Sequence, residues 1–204
     1  MTQIDYFLTT LSPYVYLAGT RPAEIAARHG ARLRYRPVHF AALAPRMGGR
    51  LLSDASDARR DWVHQDLARQ AGRLGLPISE RPMFWPTNPA PSAYAIIAAQ
   101  DAVDKGAGGD LAGLAHGFSR AIWAEDRDIS DDAVVQDILK THGFDPGLSF
   151  SGMLIGAETY AANLEEAALR GVIGVPFLIT DNDARFWGQD RLDDLDRHLA
   201  GGGA

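Results

Sequence analysis

Ile4-Asp5-Tyr6-Phe7-Leu8-Thr9-Thr10-Leu11-Ser12-Pro13-Tyr14-Val15-Tyr16-Leu17-Ala18 is where the fold is decided. Ile4–Thr9 alternates roughly and carries two aromatics, the pattern of a strand. Ser12 is a favoured helix N-cap, and Pro13 suits the first helical position, where its missing N–H is no loss. The helix opened there is expected to run through Tyr16, Leu17, Ile25 and Ala26 to Gly30, a C′ glycine. Ala31–Val38 reads as a second strand closed by Pro37 and leading into a loop. A strand–helix–strand unit predicts parallel pairing with a right-handed crossover.

From about Ala41 to Arg170 the chain reads as helical, with no convincing strand. Within Arg59–Leu74, the residues Val63, Leu67, Ala71 and Leu74 form an apolar stripe, ended by Gly75-Leu76-Pro77. Further helices are expected at Ala90–Lys105, Leu111–Glu125, Asp131–His142 and Phe150–Arg170. After Gly171 the pattern returns to β, with strands at Phe177–Thr180 and Ala184–Trp187 around an Asp181-Asn182-Asp183 turn. A last amphipathic helix, Arg191–Leu199, precedes a flexible Gly201–Ala204 tail. This order predicts an α/β protein of thioredoxin-like fold with an inserted all-helical domain. Residues 1–40 and 171–204 would form the thioredoxin-like domain, and residues 41–170 the insertion.

At 204 residues, 46% hydrophobic and 23% charged, the chain has the composition of a globular protein with material for a core. The longest apolar runs, Ala95–Ala99 and the interrupted Val172–Ile179, fall far short of the ~20 residues that span a bilayer. Met1–Asp5 has neither the basic region nor the apolar stretch of a signal peptide, so a cytoplasmic protein without membrane association is expected. A net charge of −6, with arginines interleaved among acids at Asp54–Arg60 and Asp190–Arg197, argues against a nucleic-acid partner. The histidines show no ligand spacing, so no metal site is expected. Gly106-Ala107-Gly108-Gly109 does not follow a strand as a phosphate loop would. Cysteine is absent, which excludes disulfides, cysteine nucleophiles and thiolate ligands. Any thiol chemistry has to come from a bound small molecule.

Four places carry candidate chemistry. Ser12-Pro13-Tyr14-Val15 stands between the first strand and helix, where free N–H groups and the helix dipole favour an anion. Redox proteins of this fold have Cys-x-x-Cys at that corner, and here Ser12 and Val15 take the two cysteine positions. Taken alone Ser12 is a helix cap, and the two roles are compatible. Gly174-Val175-Pro176 precedes a strand; it reads either as a cis-proline loop facing the corner or as an ordinary strand-initiating proline. Phe186-Trp187-Gly188-Gln189-Asp190-Arg191 places Gln189 and Asp190 at a helix N-terminus, suited to a carboxylate or amino-acid head group or to a simple cap. Phe118–Asp131 reads as an amphipathic packing helix with its cap. His39, beside the corner, reads as a surface or packing residue.

Together these places resemble one family. Asp5-Tyr6-Phe7 with Leu11–Ala18, Arg120–Glu125 with Asp128–Asp131, Gly171–Pro176 and Phe186–Leu192 are similar to the 2-hydroxychromene-2-carboxylate isomerases. Those proteins are grouped with the kappa-class glutathione transferases and DsbA-like proteins, and the resemblance covers nearly the whole chain in order. It implies glutathione as cofactor, with Ser12 as the catalytic residue that hydrogen-bonds its sulfur. Val175, ahead of Pro176, would pair through its backbone with the cysteinyl unit, and Gln189 and Asp190 would hold the γ-glutamyl end. The implied reaction opens a small chromene-type aromatic substrate to trans-o-hydroxybenzylidenepyruvate in aromatic compound degradation, and the implied assembly is a homodimer. Pro13, Tyr14, Gly49, Trp85 and Asn88 are then candidates for the substrate pocket. The chain departs from the family's usual Gly-Asn pair, since Gly49 offers no side chain, and Trp85 and Pro89 are unusual in the Phe84–Pro89 element. A kappa-like glutathione transferase or peroxidase and a non-catalytic thioredoxin-like binding module remain open alternatives.

Overall fold

Strands β1 (Gln3–Leu8), β2 (Arg32–Pro37), β3 (Phe177–Thr180) and β4 (Arg185–Trp187) form one sheet in the order β2-β1-β3-β4 in the computed structural model, which describes residues 2–202. β1 runs parallel to β2, with Tyr6 beside Tyr35, and antiparallel to β3, with Tyr6 opposite Leu178. β3 and β4 are antiparallel, with Phe177 opposite Trp187. The central strands are apolar and buried on both faces, whereas edge strand β2 carries Arg32, Arg34 and Arg36 at alternate positions. Charges along an edge discourage pairing with another chain.

Burial of both faces of β1 encloses Asp5, whose carboxylate then needs partners. It receives hydrogen bonds from Arg170 Nη1 at 2.6 Å and Arg36 Nε at 3.0 Å, and Glu166 pairs with both arginines. Burial raises the carboxyl's pKa, but the Arg170 hydrogen bond and the Arg36 charge outweigh it and hold it below the usual value.

The helix expected over Pro13–Gly30 is two helices, α1 (Pro13–Ala18) and α2 (Arg21–Arg28), separated at Gly19 with φ 59°. Pro22 has no N–H to give the Ala18 carbonyl, so a continuous helix would lose a rung there. The Arg21 guanidinium replaces it, donating to Leu17 O at 3.0 Å and Ala18 O at 3.3 Å. Gly30 closes α2 as expected, with Ala31 N–H bonded to Ala26 O.

Seven helices separate β2 from β3 in sequence: α3 (Phe40–Arg46), α4 (Asp57–Leu74), α5 (Ala90–Asp104), α6 (Leu111–Glu125), α7 (Asp132–Thr141), α8 (Leu148–Ser151) and α9 (Met153–Leu169). Helix α3 opens at the start of the stretch read as helical from about Ala41 and leaves only Val38 and His39 as the loop after β2. The single helix predicted for Phe150–Arg170 is divided at Gly152. There, and at Gly156, α9 lies so close to α5 that an added Cβ would stand 2.3 Å from Ala98 Cβ or 2.6 Å from Tyr94 Cβ. The last α-helix, α10 (Leu192–Arg197), is shorter than expected at both ends, since a 3-10 turn, Gln189–Arg191, precedes it and a π-helical turn, His198–Gly202, follows it. One apolar core is continuous across residues 40 and 171, joining Phe7, Leu17 and Leu178 to Ile96, Phe118 and Ile122. Among the described residues no helix is long and apolar enough to cross a membrane. Gly203 and Ala204 of the expected tail lie outside the described residues.

Candidate active site

Helix α1 opens immediately after β1, so its N-cap stands at the end of a central strand. Ser12 is that N-cap, with extended φ −80° and ψ 124°. Its hydroxyl oxygen accepts from Val15 N–H at 3.4 Å and its proton points to Val175 O at 3.5 Å. Both distances are at the outer limit for hydrogen bonds, so the hydroxyl is loosely engaged. The Val175–Pro176 peptide is cis. Because β3 begins at Phe177, Val175 stands ahead of the sheet ladder. Thus Ser12 and the proline loop, 163 residues apart in sequence, meet at one corner.

The 3-10 turn Gln189–Arg191 packs against α1. Gln189 is buried, and its Oε1 accepts from Arg21 Nη2 at 2.7 Å, so its side chain is turned inward. Asp190 is exposed, lies 3.2 Å from Arg191 Nη2, and its charge reaches Tyr14. Tyr14 donates its hydroxyl to Asp66 Oδ2 on α4 at 3.1 Å. Burial and the adjacent Asp66 charge push the phenol far up, so it is a neutral donor at any ordinary pH. Pro13 is buried at the first turn of α1. Trp85 belongs to the same corner: its indole N–H donates to Leu11 O at 3.0 Å, and its ring tilts against Trp123 at 5.7 Å.

Two candidates are engaged within their own turns. Asn88 Oδ1 accepts from Ala90 N–H at 3.1 Å at the start of α5. Gly49 N–H donates to Ala44 O at 2.8 Å and Gly48, with φ +73°, to Pro45 O at 3.2 Å, which together close α3. A Cβ on Gly49 would stand 3.2 Å from Ala44 O. His39 is exposed and meets Tyr160 edge-on at 6.1 Å.

A family model described as the DSBA-like thioredoxin domain matches residues 3–200. The chain belongs to this family. Among curated DsbA-like relatives it is 27% identical over 203 residues to the 2-hydroxychromene-2-carboxylate isomerase of Sphingobium xenophagum, covering 96% of this chain and 97% of the relative. It is 25% identical over 192 residues to the Pseudomonas putida enzyme of the same name, covering 93% and 90%. A solved 2-hydroxychromene-2-carboxylate isomerase superposes with a TM-score of 0.72 over 99% of this chain and 100% of that one, at 23% identity. The cytosolic disulfide reductase DsbM from Pseudomonas aeruginosa, solved with GSH, superposes with a TM-score of 0.69 over 98% of each chain, at 18% identity. These superpositions establish the DsbA-like fold.

Sequence reading missed two side chains that shape the DsbA-like corner. Asp66 flanks the apolar stripe of α4, and no spacing relates it to Tyr14. Arg21 adjoins Pro22, a helix-breaking signal that was legible, but its reach to Gln189 depends on the crossover.

Proposed function

We propose that this chain is a glutathione-dependent isomerase of 2-hydroxychromene-2-carboxylate-type substrates, cytoplasmic and homodimeric as the resemblance implies. The observation that carries the reading is the loosely held Ser12 hydroxyl, 3.5 Å from Val175 O, in a chain without cysteine. The donor set suits a tripeptide thiol: a hydroxyl at the mouth of α1, a peptide unit ahead of the sheet ladder, and an exposed carboxylate on the adjoining turn. When bound, glutathione would supply the thiolate nucleophile that this chain lacks and be recovered unchanged.

Ser12 would turn its proton from Val175 O to the anionic atom at the helix mouth, giving up only a weak bond. Helix α1 is six residues long, so the hydroxyl weighs more than the helix dipole. Val175 would pair through its backbone with the cysteinyl unit. Asp190 would meet the γ-glutamyl ammonium, while Gln189, its side chain and carbonyl both held by Arg21, would contribute its backbone N–H. Tyr14 and Trp85 would form the wall toward residues 41–170, read as the inserted domain, with the substrate between the two parts.

Calorimetric titration with millimolar glutathione, followed by conversion of 2-hydroxychromene-2-carboxylate with glutathione measured before and after, tests this reading. Uptake, acceleration and full recovery of glutathione are expected. Stoichiometric loss of glutathione would instead indicate a transferase or peroxidase, and no uptake would end the reading.

A further inference from the structure

Trp187, the last residue of β4, keeps 54% of its surface exposed, yet its ring is seated. A Cβ added to Gly174 would stand 2.2 Å from the indole Nε1, 2.5 Å from Cε2 and 2.8 Å from Cζ2. The indole therefore lies directly on the Gly174 backbone, and no larger residue fits beneath it. Gly174 is not among the glycines with positive φ, so the ring, rather than the local backbone, accounts for a glycine here. One residue further, Gly188 N–H donates to Pro176 O at 2.9 Å. Trp187-Gly188 thus grips Gly174-Val175-Pro176 at both ends, while Ser12 reaches Val175 O between them.

The geometry points to Trp187 as a positioning residue: its indole, pressed on Gly174, holds the Val175 peptide where glutathione pairs with it. This rests on the glutathione reading above. No sheet ladder holds the Gly174 end, since β3 pairs with its neighbours only from Phe177. Removing the ring frees one end of a segment whose order has to be restored on binding, a cost that appears in affinity rather than in turnover.

Trp187→Ala is expected to raise the glutathione dissociation constant roughly tenfold while kcat at saturating glutathione stays within about twofold, and Trp187→Phe should restore affinity. Gly174→Ala should reproduce the Trp187→Ala defect by pushing the ring away. The double variant should be no worse than Trp187→Ala, because the added methyl then meets no ring. Hydrogen exchange in the ligand-free protein provides a second readout: residues 172–177 should exchange faster in Trp187→Ala and Gly174→Ala, and normally in Trp187→Phe. Unchanged affinity and exchange in Trp187→Ala, or losses that simply multiply in the double variant, overturn the inference. If wild type takes up no glutathione the isomerase reading falls, and the exchange comparison alone decides whether Trp187 holds the loop.

Discussion

At the start of β1, Asp5 is enclosed and gripped at 2.6 Å by Arg170 and 3.0 Å by Arg36; past the other end of the same strand, Ser12 meets its neighbours at 3.4 and 3.5 Å. Both are polar groups beside an apolar sheet. The first has short, charge-assisted bonds in a buried setting, which fasten β2 and the end of α9 to the central strand. The second has long, neutral bonds that can be exchanged for a ligand at little loss. A fold can thus use one strand to anchor charge at one end and to present an uncommitted hydroxyl at the other.

The largest effect that would break this contrast is expected at Ser12. Ser12→Ala should lower the glutathione-dependent rate by a hundredfold to a thousandfold, on the order seen when one anion donor is removed. Its thermal midpoint should record only the lost cap, about 1 kcal/mol. A large loss of stability with the rate preserved would make Ser12 structural. Asp5→Asn should do the reverse. It leaves Arg36 and Arg170 with Glu166 as their shared carboxylate partner, so denaturant melts should show a loss of about 3 kcal/mol, at the low end for broken buried pairs, with turnover per folded molecule unchanged.

Acid titration of stability sharpens the comparison. The Asp5 pKa is lowered on folding, so its contribution is complete above the unfolded value near 3.8 and is lost as pH falls below it. His116 supports α1 from behind, its ring stacked on Tyr16 at 5.4 Å with a buried, unpartnered Nδ1. Burial, then the Arg120 and His142 charges, lower its pKa from the usual 6.5. The folded state therefore favours the neutral ring, and stability is complete above pH 6.5 and declines as pH falls through that value. Thermal midpoints against pH should show two separate declines. His116→Phe should diminish the one below pH 6.5, part remaining through His142, and leave the acid one intact; a single merged decline would refute the separation.

Much of the scaffold was legible because its signals are local. Ser12-Pro13 marked the α1 start, Gly30 and Gly75 marked helix ends, and the Leu111–Glu125 helix and the Phe177–Thr180 strand lie where read. The break at Gly19-Pro22 was passed over because the apolar positions on either side continue a helical pattern. Gly152 was passed over for a related reason: its effect depends on Ala98, which a helix brings against it from far along the chain.

By itself the sequence determined the βαβ–helical–ββα order, the absence of a native thiol and the residues that could stand at the helix mouth, because propensity, capping and composition act over a few neighbours. Only the tertiary structure decided that Ser12 meets Val175, that Gln189 turns inward to Arg21 while Asp190 remains outside, that Tyr14 is engaged by Asp66, and that Trp187 lies on Gly174. Those pairings are set by sheet order and helix packing, which bring together groups far apart along the chain, and no short-range pattern encodes them.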